Sequence, residues 1–217
     1  MANKTIEDKL NEGRQYRMIA VGAIESRQDG ENEMTVEGYA TTYNEPYELF
    51  SYGNFTVREQ IDPHAFDEAE MDDVIMQYNH EGRVFARTKN GTLSLNSDGH
   101  GLHIRADLGG TELGREVFRE ISGGYTDKMS FGFMVAEDKR EETEDHETGH
   151  IDILRTITRI GRLYDVSAVS IPANDATSIS ARAYGEGVIA EVAEEIRKRE
   201  ERSRRMREIK EICEVSK

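Results

Sequence analysis

Apolar positions recur at two spacings along the chain, and the change from one to the other marks the elements. Residues 17–25 and 34–42 have β-type composition, and the Gly and Asp/Asn punctuation at 28–32 predicts a hairpin between them. Asp62, placed as an N-cap ahead of Pro63, predicts a short helix opening over Pro63-His64-Ala65-Phe66-Asp67. Val74, Ile75, Met76 and Tyr78 predict a strand over 74–79, and 93–95 with 102–108 a hairpin across Asn96-Ser97-Asp98-Gly99. The spacing then changes. Thr111 and Glu112, followed by Leu113, Val117, Phe118 and Ile121, predict a helix that Gly123-Gly124 ends. A strand over 125–135 follows, and 151–160 and 163–171 are predicted as two strands across Gly161-Arg162, stopped by Pro172. Six to eight short strands with one internal helix and a helical tail predict an antiparallel barrel or sandwich with helices outside.

Charge separates the tail from the rest. Residues 186–217 hold nine acids and nine bases, so the whole net charge of −15 lies upstream. The tail has Gly only at its start, no Pro, and Glu/Arg pairs at helical spacing, which predicts a long exposed helix. Its apolar stripe is broken by Arg199 and Ser203, which disfavours a strong coiled coil. Residues 137–147 carry seven acids and two bases and read as a solvated hairpin loop or an insertion without structure. The domain organisation expected is an N-terminal extension (1–16), one β-rich domain (17–185) and a charged helical tail (186–217), solvated or serving to dock.

Composition removes several function classes. An excess of acids argues against a general nucleic-acid binder, which needs clustered Lys and Arg to neutralise phosphates. The single cysteine, Cys213, provides no intrachain disulfide and no thiolate-rich zinc site, and it is not expected to be a nucleophile. Apolar runs such as 18–24 fall far short of the roughly 18 to 20 residues that cross a bilayer. The start, MANKTIEDKL, lacks an apolar signal region, so an intracellular protein is expected.

Three side chains stand out for chemistry. His80 ends the strand over 74–79, where a titratable ring at a barrel rim would be presented to a substrate. Ser130, in Met129-Ser130-Phe131-Gly132-Phe133, is the one small hydroxyl in a bulky strand. A hydroxyl attacks only if a base takes its proton and a third group orients that base. Asp165 is an acid inside an apolar strand, where an unpaired carboxylate would cost several kcal/mol, and His80 is a suitable partner. On composition alone, the simpler reading places Ser130 and Asp165 on the solvent face of their strands.

A rival reading comes from His146-Glu147-Thr148-Gly149-His150, which matches the H-E-x-x-H signature of zinc peptidases. That chemistry needs both histidines on one face of a helix, and Gly149 with the preceding acids disfavours one. A chance match in a charged loop is the simpler account. His100 and His103 form a weak metal pair at most, and His64 is expected to cap or pack locally.

In order and wording the chain resembles the prohead maturation proteases of tailed bacteriophages, serine peptidases related in fold to the herpesvirus assemblins. The resemblance covers about residues 17–182. It rests on Val36-Glu37-Gly38-Tyr39-Ala40, Pro63-His64-Ala65-Phe66 in place of the family's Gly-Ala-Phe, and Asn79-His80 followed by Val84-Phe85-Ala86-Arg87. Met129-Ser130-Phe131-Gly132-Phe133 and the run from Asp165 to Ala173 complete it. The resemblance implies a β-rich α+β fold: a closed, mostly antiparallel β-barrel flanked by helices. It implies an endopeptidase inside the procapsid, in the host cytoplasm, that cleaves scaffolding segments from the major capsid protein and cleaves itself. Ser130 would be the nucleophile and His80 the general base. Asp165 would be the orienting acid, although the family often has Glu there and Glu81 is an alternative. Backbone N–H groups would form the oxyanion hole, with no metal, organic cofactor, membrane or specific nucleic acid involved. The competing class is a non-enzymatic scaffold or assembly protein.

Overall fold

The computed structural model describes residues 15–19, 24–27 and 34–169, with 197, 198, 201, 202 and 204–206 near the C-terminus. The strands are β1 (Gln15–Ile19), β2 (Glu25–Arg27), β3 (Thr35–Thr42), β4 (Tyr47–Tyr52), β5 (Phe55–Ile61) and β6 (Ile75–Tyr78). They continue with β7 (Glu81–Arg87), β8 (Leu93–Ser97), β9 (Gly101–Asp107), β10 (Lys128–Asp145) and β11 (His150–Val169). One α-helix, α1 (Glu112–Ser122), lies between β9 and β10. The described tail positions are helical, and the rest of the predicted tail helix lies outside the described residues.

Two sheets share one core. The larger runs β1-β10-β11-β5-β4, with β6 also paired to β11 and β7 to β6, and the smaller runs β2-β3-β9-β8. Val36, Ile104 and Ala106 of the small sheet pack in one buried cluster with Met129, Phe131 and Phe133 of the large one. This corrects the closed barrel with flanking helices. Among the described residues no ladder joins the two sheets into a cylinder, and eleven strands stand beside α1 and the helical tail positions. Alternating inward and outward side chains look the same in a barrel and in two stacked sheets, so strand pattern alone cannot separate them.

A second correction concerns β11. The two strands expected across Gly161-Arg162 are one strand of 20 residues. One edge pairs antiparallel with β10, and the other takes two parallel partners in series, β5 at Ile151–Ile157 and β6 at Asp165–Ala168. Between these partners the chain stays pinned to β11, because Asp62 N–H donates to the Ile157 carbonyl and Ile160 N–H to the Ala65 carbonyl. The segment at 63–68 is a set of turns rather than a helix. Asp62 still caps it, accepting from His64 N–H at 2.8 Å. The acidic run is not a loop either. Its residues through Asp145 belong to β10, paired with β11 along a long ribbon, and only 146–149 form the turn. Solvated charges are compatible with a strand whose backbone is fully paired on one side.

The hairpin predicted over 93–95 and 102–108 forms, with β8 at Leu93–Ser97 and β9 at Gly101–Asp107. In the 17–42 segment β2 pairs with β3, whereas β1 joins β10 of the other sheet, and residues 28–33 lie outside the described residues.

α1 is built from local signals. Thr111 Oγ1 accepts from Gly114 N–H at 2.9 Å at its start, an arrangement worth about 1 kcal/mol. At its end Gly124 N–H donates to Ile121 and Tyr125 N–H to Glu120, with Gly124 at φ +71°, a Schellman motif. Val117, Phe118 and Ile121 face the core, roughly 1.5 to 3 kcal/mol each. The helix therefore delivers the chain to the start of β10 in a defined direction. No helix among the described residues is long and apolar enough to cross a membrane.

Candidate active site

β10, β11 and β6 lie side by side and set the positions of three groups. Ser130 on β10 stands opposite Ser167 on β11, and Gly132 opposite Asp165. Residues two apart on a strand share a face, so Ser130, Asp165 and Ser167 point to the same side of the sheet. β6 pairs with the other edge of β11, and where it ends Asn79 N–H donates to the Ala168 carbonyl at 3.0 Å. Asn79 and His80 are then the whole loop between Tyr78 and Glu81, which pair with each other.

That loop is tight. Asn79 has φ +50° and His80 φ +61°, both left-handed. A two-residue hairpin loop with both residues at positive φ favours Asn followed by Gly. Asn79 fits, while His80 stands where Gly is preferred, at a cost of about 1 kcal/mol. The strained backbone turns the imidazole back over the sheet.

The imidazole bridges the other two groups. His80 Nδ1 lies 2.5 Å from Asp165 Oδ2, and His80 Nε2 lies 2.5 Å from Ser130 Oγ. With the ring proton on Nδ1, His80 donates to the carboxylate and Nε2 is left to accept from the hydroxyl. Asp165 is fully buried and Ser130 nearly so, whereas the His80 side chain keeps 15% exposure. Glu81, the alternative acid, is exposed at the start of β7 while Asp165 occupies Nδ1.

Two further partners were not foreseen. Ser167 Oγ donates to Asp165 Oδ2 at 2.9 Å. The Arg17 carbonyl lies 2.9 Å from Ser130 Oγ, so the single hydroxyl proton has two acceptors, this carbonyl and His80. Arg17 is itself held by a buried cluster. Its guanidinium bonds both oxygens of Glu59, at 2.5 and 3.1 Å, and Arg155 bonds Glu59 at 2.6 Å and Asp138 at 2.6 Å. Tyr47 donates to Glu59 at 2.5 Å. Burial alone would raise the Glu59 pKa, but Arg17 and Arg155 outweigh it and hold the carboxyl below its ordinary value. Burial, with the Glu59 charge added, pushes the Tyr47 phenol well up. A signal for this cluster existed. Glu59 and Arg155 each interrupt an apolar face, Phe55-Val57-Glu59-Ile61 and Ile151-Ile153-Arg155-Ile157, and the two are direct partners across β5 and β11.

The other histidines go elsewhere. His146 to Gly149 form the β10 to β11 turn, closed by Asp145, which accepts from Glu147 N–H and the Thr148 hydroxyl. The H-E-x-x-H segment is therefore not on a helix, and His150 Nε2 pairs with Thr56 Oγ1 at 3.0 Å. No group of three or more His, Cys, Asp or Glu side chains is placed to hold a metal ion among the described residues. His100 and His103 pack edge-on against Tyr39, and His64 pairs with Asp67 at the surface.

Comparison with known proteins decides the family. The model of the caudovirus prohead serine proteases matches residues 22–191. The chain belongs to that family. As a prohead serine protease it is a serine peptidase of phage capsid maturation. Among solved structures, the bacteriophage T4 capsid assembly protease, gp21, is similar at 13% identity, over 73% of this chain and 99% of that one, with a TM-score of 0.41. No curated protein matches the sequence.

Proposed function

We propose that this prohead protease is an endopeptidase whose nucleophile is Ser130, whose general base is His80 and whose orienting acid is Asp165. The observation that carries the reading is the imidazole shared between the other two groups, Nδ1 to Asp165 and Nε2 to Ser130. His80 Nε2 takes the Ser130 proton as Oγ attacks a peptide carbonyl, and the imidazolium formed is stabilised by the buried Asp165 carboxylate. The same nitrogen then gives its proton to the leaving amine. Water, deprotonated by His80, hydrolyses the acyl-enzyme and regenerates Ser130. Donation to the Arg17 carbonyl is the resting alternative, and only the hydroxyl rotamer aimed at His80 is productive.

The substrates are the scaffolding segment of the major capsid protein and the protease itself, inside the procapsid in the host cytoplasm. The charged tail beyond residue 185 holds the protease in the procapsid by resembling scaffold, and self-cleavage releases it. The experiment is coexpression with the capsid protein, read by intact mass, for wild type and Ser130→Ala. Wild type trims the capsid protein and the variant does not. Equal trimming by both would remove Ser130 from the mechanism, and trimming by neither would favour a scaffold without catalysis. Removing residues 186–217 lowers incorporation into procapsids and spares peptide cleavage; normal incorporation would end the tail reading.

A further inference from the structure

We propose that Ser167 is a positioning residue, whose hydroxyl fixes the Asp165 carboxylate in the orientation that serves His80. The inference rests on the triad assigned above. Ser167 is fully buried on the strand that carries Asp165, two residues on and facing the same side. Its hydroxyl reaches Asp165 Oδ2 at 2.9 Å, the oxygen that His80 Nδ1 approaches at 2.5 Å. A carboxylate on a short side chain rotates broadly about its last torsion. Two donors converging on one oxygen remove that freedom, so the carboxylate presents Oδ2 to the ring in each turnover. Because His80 sits on a two-residue loop, its own ring angle depends on what Asp165 offers it. Ser167 also stands opposite Ser130 on the neighbouring strand and is fully buried, so its hydroxyl lies beside Ser130 and away from solvent.

The test uses the full chain and a peptide spanning the capsid-protein cleavage site found by intact mass. Ser167→Ala lowers kcat about 10-fold to 100-fold, the value of one hydrogen bond to a charged group, and leaves KM within about twofold. Ser167→Thr, which keeps the donor, regains most of the loss. The downfield proton resonance of His80 Nδ1–H, read in the resting protein, moves in Ser167→Ala and returns in Ser167→Thr. Unchanged kcat in Ser167→Ala overturns the proposal, and so does a loss shared by both variants with the His80 resonance unmoved. If Ser130→Ala still cleaves, the triad reading fails instead. The resonance then decides the Ser167 contact alone, and an unmoved signal overturns it.

Discussion

Two buried carboxylates on neighbouring strands, Glu59 of β5 and Asp165 of β11, have opposite surroundings. Glu59 is saturated by two guanidiniums and a phenol, all fixed in charge at neutral pH, and the cluster ties β1, β5, β10 and β11 together. Asp165 meets a hydroxyl and an imidazole, partners that can move a proton. The guanidinium keeps its charge under all conditions in proteins, so the first site is suited to holding strands and the second to chemistry. They are joined at Arg17, whose side chain binds Glu59 while its carbonyl faces Ser130. The structural cluster therefore sets where one acceptor of the Ser130 hydroxyl proton sits.

Asparagine at each carboxylate position, or its longer amide homologue, separates the two roles. Asp165→Asn lowers kcat by about 10⁴-fold, as loss of the orienting charge does in triads generally, with a much smaller change in stability. Steady-state cleavage beside urea unfolding checks it; a variant that unfolds while its remaining folded fraction is fully active would make Asp165 structural. Glu59→Gln does the reverse. It takes the carboxylate charge away from two buried guanidiniums, of which Arg155 keeps Asp138, and lowers stability by about 3 to 5 kcal/mol, seen as an earlier urea midpoint at constant slope. A midpoint equal to wild type would deny the cluster its role.

Acid should reach the same cluster. Glu59 has a folded pKa below its ordinary value of 4.5, so its contribution is fully present above that value and is lost as pH falls through the lower folded one. Urea midpoints should decline more steeply below about pH 4.5 in wild type than in Glu59→Gln; parallel curves would break the link. The smallest effect is expected at the loop. His80→Gly abolishes cleavage and changes stability little, because the roughly 1 kcal/mol gained by relieving the left-handed backbone is set against the loss of the imidazole donor to the buried Asp165 carboxylate. A destabilised His80→Gly would mean that the imidazole's bonds outweigh the backbone strain.

How much of this was legible differs by element. Thr111, the apolar spacing after it and Gly123-Gly124 announced α1, because caps and helix faces are set by residues within a turn or two of one another. Asn96 to Gly99 announced the β8 to β9 hairpin for the same reason. His80, Ser130 and Asp165 were named from their segments and from the family resemblance, and the fold brings all three into contact. The charge of residues 137–147 points to a loop, yet 137–145 are strand, because charge describes solvation and a strand with one paired edge tolerates it. Ser167 is not legible in the sequence, since nothing in Asp165-Val166-Ser167 distinguishes a donor to the carboxylate from an ordinary small strand residue.

The sequence alone carries α1, the β8 to β9 hairpin, the caps and turns that bound them, and the residue types able to do acyl-transfer chemistry. Only the tertiary structure decided that the sheets stay separate, that β11 runs unbroken beneath two parallel partners, and that Arg17 and Arg155 converge on Glu59. The reason is one of range. Caps and turns depend on neighbours in the chain, whereas strand partner, register and the meeting of buried charges depend on residues as far apart as Glu59 and Arg155, and no local pattern specifies which distant strand will lie alongside.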